Sequence, residues 1–116
     1  MTSTEDLINN HLKSFFAGDL DAILADYAPG AVMFTTEGPL RGAAQIRPLF
    51  ERLIGEFAKP GARFSLQLQS VEGDCAYIVW TAETADNIYE LATDTFVVRD
   101  GKICSQSFTG KTRPRH

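Results

Sequence analysis

The hydrophobic pattern of this chain changes its period at Pro60-Gly61, and that change restricts the possible folds more than any other feature. Before it, apolar residues recur at the three- and four-residue spacing of amphipathic helices. After it, segments such as 64–69 alternate between apolar and polar residues, which is typical of half-buried strands. Because the helices come before the strands and do not alternate with them, the sequence predicts an α+β fold with one sheet and the helices on one face.

Three helices are predicted in the first half. The capping-box patterns Thr2-x-x-Glu5 and Ser3-x-x-Asp6 begin the first, and Gly18 ends it. Asp19 caps a short second helix, which continues past Tyr27 and stops at Pro29-Gly30. A third helix is predicted over residues 43–57, with Pro48 inside it as a kink or a late start.

The strands are predicted at 31–35 and then at 64–69, 75–84, 88–99 and 102–109. The last four are joined by turn sequences, which makes them an antiparallel meander. A turn centred on Asp86-Asn87 places Val79 opposite Asp94, and a turn centred on Asp100-Gly101 places Ser107 opposite Asp94. One face of the sheet then carries Tyr77, Asp94, Phe96 and Ser107, and the other carries Ile78, Trp80, Leu91 and Phe108.

The second of these faces has no helix left to cover it. Three helices can cover only one side of a sheet, so a bulky apolar face on the other side needs a partner. We therefore expect a homodimer that forms through this outer face. The residues predicted at the interface are Ile78, Trp80, Leu91 and Phe108.

Composition and charge exclude several classes of protein. The 116 residues predict one domain over 1–116, and a net charge of −4 argues against nucleic acid or an anionic membrane as a partner. No apolar run approaches a membrane span, and the acidic N-terminus is no signal peptide, so we expect a cytoplasmic protein. Two histidines, and two cysteines too far apart to form a disulfide, suggest no metal site. The basic segment 111–116 is expected to be a solvated end.

Segment 15–50 resembles the opening half of the nuclear transport factor 2-like superfamily, in its SnoaL-like and ketosteroid-isomerase-like branch. The similarity lies in Ala17-Gly18-Asp19-Leu20-Asp21, Tyr27-Ala28-Pro29-Gly30-Ala31-Val32 and Gly38-x-x-x-Gly42-x-x-x-Ile46-Arg47. The resemblance implies a cystatin-like cone, in which a curved antiparallel sheet wraps round the three N-terminal helices and encloses a pocket. It also implies dimers that form through the outer face of the sheet.

Asp94 and His11 are the candidate catalytic residues. Asp94 lies in an otherwise apolar strand, where burial would raise its pKa, although a structural hydrogen bond to Ser107 is an equal alternative. His11 lies on the apolar stripe of the first helix, where a structural role competes with proton transfer. The resemblance to ketosteroid isomerase puts His11 where that enzyme has a tyrosine, Asp94 where it has a neutral acid, and Thr35 where it has its base.

The predicted ligand is a small apolar organic molecule, bound without a metal or an organic cofactor. Cofactor-free isomerisation, cyclisation or dehydration is one hypothesis, and a non-catalytic binding or dimerisation module is the other. Glu37 is the carboxylate closest to Thr35, and the turn residues Gly38-Pro39 favour an exposed place for it at the pocket rim. The predicted substrate-binding residues are Tyr27, Phe34, Thr35, Tyr77, Phe96 and Ser107.

Overall fold

A computed structural model describes residues 3–115, as three helices and six strands. The elements in chain order are α1 (Thr4–Phe16), α2 (Leu20–Ala25), β1 (Tyr27–Thr35), β2 (Gly38–Arg41), α3 (Gly42–Ala58), β3 (Arg63–Glu72), β4 (Cys75–Glu83), β5 (Asn87–Arg99) and β6 (Lys102–Pro114). The α+β prediction, with helices packed on one face of a curved sheet, is confirmed.

The helix starts follow the capping residues that the sequence predicts. The Ser3 side chain accepts a hydrogen bond from the Asp6 backbone N–H at 3.1 Å, and Asp19 accepts one from Ala22 at 3.1 Å. The Thr2 capping pattern lies outside the described residues. The second helix is shorter than expected, because Tyr27 is the first residue of β1 and not part of α2.

The six strands form one mixed sheet in the order β2-β1-β6-β5-β4-β3. The four-strand meander is confirmed, and β1 extends it by pairing with β6 in parallel, the one parallel pair among the described strands. The pairing of β1 with β6 is irregular between Tyr27 and Val32, where Pro29 has no backbone N–H and Gly30 has a φ of 73°. We call the sheet face that packs on the helices the inner face, and the opposite one the outer face.

The predicted register around Asp94 is wrong by one residue on both sides. Ile78 of β4 and Phe108 of β6 lie opposite Asp94, in place of Val79 and Ser107. A one-residue slip exchanges the two faces of a strand. The inner and outer residues of β4 and of the second half of β6 are therefore exchanged, while Asp94 and Phe96 are on the inner face as predicted.

Each error has a local structural cause. The β5–β6 turn lies at Asp100-Gly101 as expected, but a β-bulge at Cys104, opposite Val97 and Val98, moves the later pairs by one residue. The β4–β5 turn spans Thr84 to Asn87, so its centre is one residue earlier than predicted, which shifts the pairs beside it by two residues. A bulge between the pairs Ala82–Tyr89 and Trp80–Ala92 takes back one of them, which leaves the net error of one residue at Asp94. The buried Thr84 hydroxyl holds this turn by accepting the backbone N–H groups of Asp86 and Asn87 at 3.2 and 3.0 Å.

The corrected register changes the surface predicted for a dimer. Ile78 and Trp80 are 1% and 8% exposed, and they lie on the inner face together with Phe108. Of the four predicted interface residues, Leu91 is on the outer face and exposed. Three predicted substrate-binding residues lie on that outer face as well, because Phe34, Ser107, Thr95 and Tyr77 form one row across β1, β6, β5 and β4.

The basic segment 111–115 is exposed, as predicted, but most of it belongs to a strand. β6 continues to Pro114, and Arg113 donates to Glu90 of β5 at 2.9 Å. His116 lies outside the described residues. Cys75 and Cys104 are free thiols, as predicted. Within residues 3–115, no helix is long and apolar enough to cross a membrane.

Candidate functional site

The inner face of the sheet and the helices α1 and α3 enclose a cavity of about 70 Å³. Its wall is almost entirely aromatic and aliphatic, with Phe50 of α3 and Phe96 of β5 among the largest contributors. The polar side chains that line it are His11, Asp94 and Gln106. For comparison, an engineered cavity of about 150 Å³ holds benzene. A ligand of that size or larger must therefore displace part of the wall.

The part of the wall that is easiest to displace is a pair of aromatic rings. Phe16, at the end of α1, packs on Phe64 of β3 with 4.7 Å between the ring centroids. Both rings line the cavity, and half of the Phe16 side chain is exposed to solvent. Phe16 also contacts Phe15 edge-on, but because half of it is exposed, its rotation opens the cavity at a lower cost than moving a core residue such as Phe96.

Asp94 is a buried carboxyl group with a hydrogen bond to each oxygen. Trp80 Nε1 donates to Oδ2 and Gln106 Nε2 donates to Oδ1, both at 2.9 Å. These donors lie on the neighbouring strands β4 and β6, two residues along from the residues directly opposite Asp94. Burial raises the pKa of Asp94, and the two hydrogen bonds and the nearby His11 oppose that rise. The raised pKa agrees with the prediction made from the apolar strand.

His11 lies on the buried face of α1 and uses both ring nitrogens. Its Nδ1 is 2.9 Å from Asp26 Oδ2, and its Nε2 is 3.3 Å from Tyr27 Oη. Phe50 and Phe96 contact the ring edge-on, at centroid distances of 5.9 and 6.0 Å. The ring is thus held by four side chains, and its orientation is set by Asp26.

Tyr27 and Gln106 connect the two candidate catalytic residues. The Tyr27 hydroxyl donates to Gln106 Oε1, while Gln106 Nε2 donates to Asp94. Burial raises the pKa of Tyr27 well above its ordinary value, and the charges of Asp94 and Asp26 raise it further. Tyr27 therefore stays protonated at neutral pH. His11 and Asp94 both line the cavity, but they are joined through this pair of side chains.

The predicted substrate-binding residues are widely separated. Phe96 lines the cavity, and Tyr27 is buried behind His11. Thr35 does not line this cavity but a neighbouring surface pocket that shares Leu49 and Phe108 with it, and its hydroxyl donates to the Gly38 carbonyl at 2.8 Å. Phe34, Tyr77 and Ser107 are on the outer face. Glu37 is an exposed turn residue, as predicted, and it lines the same neighbouring pocket as Thr35.

Three residues of the site were not identified from the sequence. Trp80 was placed on the wrong face, and Asp26 and Gln106 were not considered. The signal for them is indirect, since a buried carboxylate needs donors on the adjacent strands, and these can be named only when the register is known. Among residues 3–115, no cluster of three His, Cys, Asp or Glu side chains could hold a metal ion.

The model of the SnoaL-like domain family matches residues 8–106, most of the chain. The protein therefore belongs to the SnoaL-like family, within the nuclear transport factor 2-like superfamily. No protein with a curated description matches the sequence.

Solved structures share the fold at low sequence identity. A protein of unknown function from Mesorhizobium loti is 24% identical, with a TM-score of 0.78 over 93% of this chain and 90% of the other. SalBIII, an epoxide hydrolase/cyclase-like enzyme of pyran ring formation in the polyether salinomycin, is 17% identical, with a TM-score of 0.79 and the same coverage. A nuclear transport factor 2-like protein of unknown function from Cytophaga hutchinsonii is 12% identical, with a TM-score of 0.79 over 96% and 92%.

Proposed function

We propose that this protein binds a small, mostly apolar organic molecule in the cavity between the sheet and the helices. The observation that carries the proposal is a wall of aromatic and aliphatic side chains around a single buried carboxyl group, Asp94. Cavities with this composition bind ligands through apolar burial, and a few polar groups fix the orientation. The ligand would place its one polar group beside Asp94 and His11.

Cofactor-free proton transfer is the chemistry that this arrangement supports. An acid with a raised pKa exchanges protons near neutral pH more readily than an exposed aspartate, which suits isomerisation, cyclisation or dehydration. Thr35 cannot serve as the base, because a threonine hydroxyl does not remove a proton from carbon at neutral pH. Asp94 is the one carboxylate among the residues that line the cavity, so it would act as both acid and base with His11 beside it.

Binding is tested by the fluorescence of Trp80, the one tryptophan of the sequence, which lines the cavity. Cyclohexanol and adamantanol are apolar probes of different size with one hydroxyl each. We expect a saturable change in Trp80 emission with at least one of them. If neither probe changes the emission at millimolar concentration, the proposal is wrong.

Two variants of β4 separate cavity binding from surface binding. Ile78→Phe puts a larger side chain into the cavity and so reduces its free volume. Val79→Phe puts a larger side chain on the outer face, one residue away. We expect Ile78→Phe to abolish the fluorescence change and Val79→Phe to preserve it, with circular dichroism as the check of folding. Equal effects of the two variants would place the probe elsewhere.

Asp94→Asn distinguishes an enzyme from a binding module once a ligand is known. The amide keeps the shape of the side chain but cannot accept a proton. An enzyme should lose turnover and retain binding. A binding module should show no turnover in either protein.

We also propose a homodimer through the outer face, with residues corrected from the sequence prediction. The large apolar side chains exposed there are Phe34, Leu68, Tyr77 and Leu91, each 39–52% exposed. Leu68→Glu should dissociate the dimer in sedimentation velocity. Leu66→Glu is the matched control, since Leu66 is similarly exposed but pairs with the inward-facing Trp80. A monomeric wild type at micromolar concentration would disprove the dimer.

A further inference from the structure

A chain of hydrogen-bonded side chains runs from the surface of the protein to the cavity. Asp26, whose side chain is 19% exposed, contacts His11, and His11 contacts Tyr27. Tyr27 donates to Gln106, which donates to Asp94 in the cavity wall. No buried side-chain nitrogen or oxygen in residues 3–115 is left without a partner, so every link of this chain is occupied.

The Tyr27 hydroxyl gives the chain a direction, because it has one proton and two neighbours that can accept it. When it donates to Gln106 Oε1, as in the structure, His11 Nε2 must carry a proton to bond the Tyr27 oxygen. In this arrangement, with Nδ1 also donating to Asp26, the imidazole carries a proton on each nitrogen. At the other end Gln106 donates, and Asp94 accepts as a carboxylate.

The chain can also run in the reverse direction, from Asp94 to His11, with every group still hydrogen-bonded. If Asp94 is protonated, it donates to Gln106 Oε1 once the amide has turned over, and the amide N–H groups then point to the Tyr27 oxygen. The Tyr27 hydroxyl then donates to His11 Nε2, which must be a neutral acceptor. The two directions contain the same number of protons, since Asp94 has gained one and His11 has lost one.

We propose that Tyr27 and Gln106 are positioning residues that make the protonation of Asp94 and of His11 mutually exclusive. A proton that a bound molecule gives to Asp94 would be balanced by a proton that His11 releases to water past Asp26. The site would then keep its charge constant through a reaction cycle. The inference deepens the proposed function by coupling the charge of Asp94 to that of His11 through reoriented hydrogen bonds, while no proton crosses the Gln106 amide.

Among the residues that line the cavity, the groups that pack on this chain add no other titratable side chain, and at its surface end Lys102 of β6 donates to the Ala25 carbonyl at 2.7 Å, beside Asp26. Helix α3 contributes apolar groups, and strands β4 and β6 contribute the Trp80 indole and apolar groups besides Gln106. The residues concerned are Leu49, Phe50 and Leu53 of α3, Ile78 and Trp80 of β4, and Phe108 of β6. A pH effect on Asp94 that depends on Tyr27 can therefore be assigned to His11 and Asp26.

The test needs no ligand, so its failure is distinct from failure of the proposed function. Trp80 Nε1–H bonds Asp94 and gives a single indole resonance, whose shift against pH reports the titration of Asp94. His11→Gln should raise the midpoint of this titration. If Tyr27 transmits the effect, the same substitution in a Tyr27→Phe background should raise it by less than half as much.

Tyr89→Phe is the matched control background, because Tyr89 is also a buried tyrosine of the inner face but its hydroxyl bonds Glu56. There the effect of His11→Gln should be the full wild-type shift. Gln106→Leu breaks the next link and should reduce the shift as Tyr27→Phe does, and it replaces Tyr27→Phe if that variant does not fold. If His11→Gln shifts the Asp94 midpoint by the full wild-type amount in both the Tyr27→Phe and the Gln106→Leu backgrounds, the effect acts purely through space and the proposal is overturned.

Discussion

Replacing Asp94 with asparagine should stabilise this protein at neutral pH, although it alters a buried and fully bonded residue. Both hydrogen bonds to Asp94 come from donors, Trp80 and Gln106. Asparagine offers its oxygen to the indole and its N–H to the Gln106 oxygen, once the Gln106 amide has turned over. The Tyr27 hydroxyl then donates to His11 Nε2 in place of Gln106 Oε1, so all these groups are satisfied and a buried charge has been removed.

The size of the effect follows from proton linkage. The folded pKa of Asp94 is raised by burial, whereas an unfolded aspartate titrates near about 3.9. Between these two values the folded protein holds a proton that the unfolded chain has released. The free energy of unfolding therefore falls with rising pH by up to about 1.4 kcal/mol per pH unit. The contribution of Asp94 is fully present below the unfolded value and fully lost above the folded one.

Asparagine has no such titration, so its advantage over the wild type should grow with pH through this window and then remain constant. Urea unfolding at a series of pH values measures the difference. Asp100→Asn makes the same chemical change at an exposed turn with a φ of 50°, which asparagine also adopts, and corrects for the loss of one surface carboxylate. A difference that does not change with pH, or a variant less stable than wild type at neutral pH, would refute the reasoning.

Two further predictions concern the framework of the site. Glu56 of α3 accepts hydrogen bonds from Thr84 at 2.6 Å and from Tyr89 at 3.0 Å. Glu56→Ala should therefore lower the free energy of unfolding, measured in urea, by at least about 2 kcal/mol. The control Glu51→Ala, which removes an exposed ion pair on the same helix, should lower it by less than about 1 kcal/mol. Equal costs would contradict this role for Glu56. Ser3→Ala should lower the stability by about 1 kcal/mol because it removes the N-cap of α1, and an unchanged thermal midpoint would argue against it.

The helix starts and the β5–β6 turn could be predicted because their signals are local. Ser3 and Asp19 cap their helices through side chains that reach three residues ahead, and Asp100-Gly101 forms the turn that its sequence indicates. Asp94 could be identified as a buried acid for a similar reason, since its neighbours along the strand are apolar.

The faces of the strands could not be predicted, because they depend on contacts that are distant in sequence. The turn at Thr84 is held by its own hydroxyl and by Glu56, which is 28 residues earlier in the chain. The bulge at Cys104 contains no glycine or proline by which the sequence could indicate it. The net shift is one residue in each hairpin, because a bulge between Trp80 and Ala82 takes back one of the two residues by which the displaced turn moves the β4–β5 pairs. A shift of one residue is enough to move Tyr77 and Ser107 from the predicted pocket to the outer face.

The same irregularities assemble the candidate site. Asp94 receives its two donors from diagonal positions on β4 and β6, so both strands must be in the observed register for Trp80 and Gln106 to reach it. In the register that the sequence predicts, Trp80 would face outward, and the buried carboxylate would lose the indole donor. A buried charge without its partners is strongly destabilising, so the folded state with an inward Asp94 requires the displaced turn and the bulge. The bulge at Cys104 is therefore part of the site, even though its side chain does not reach the cavity.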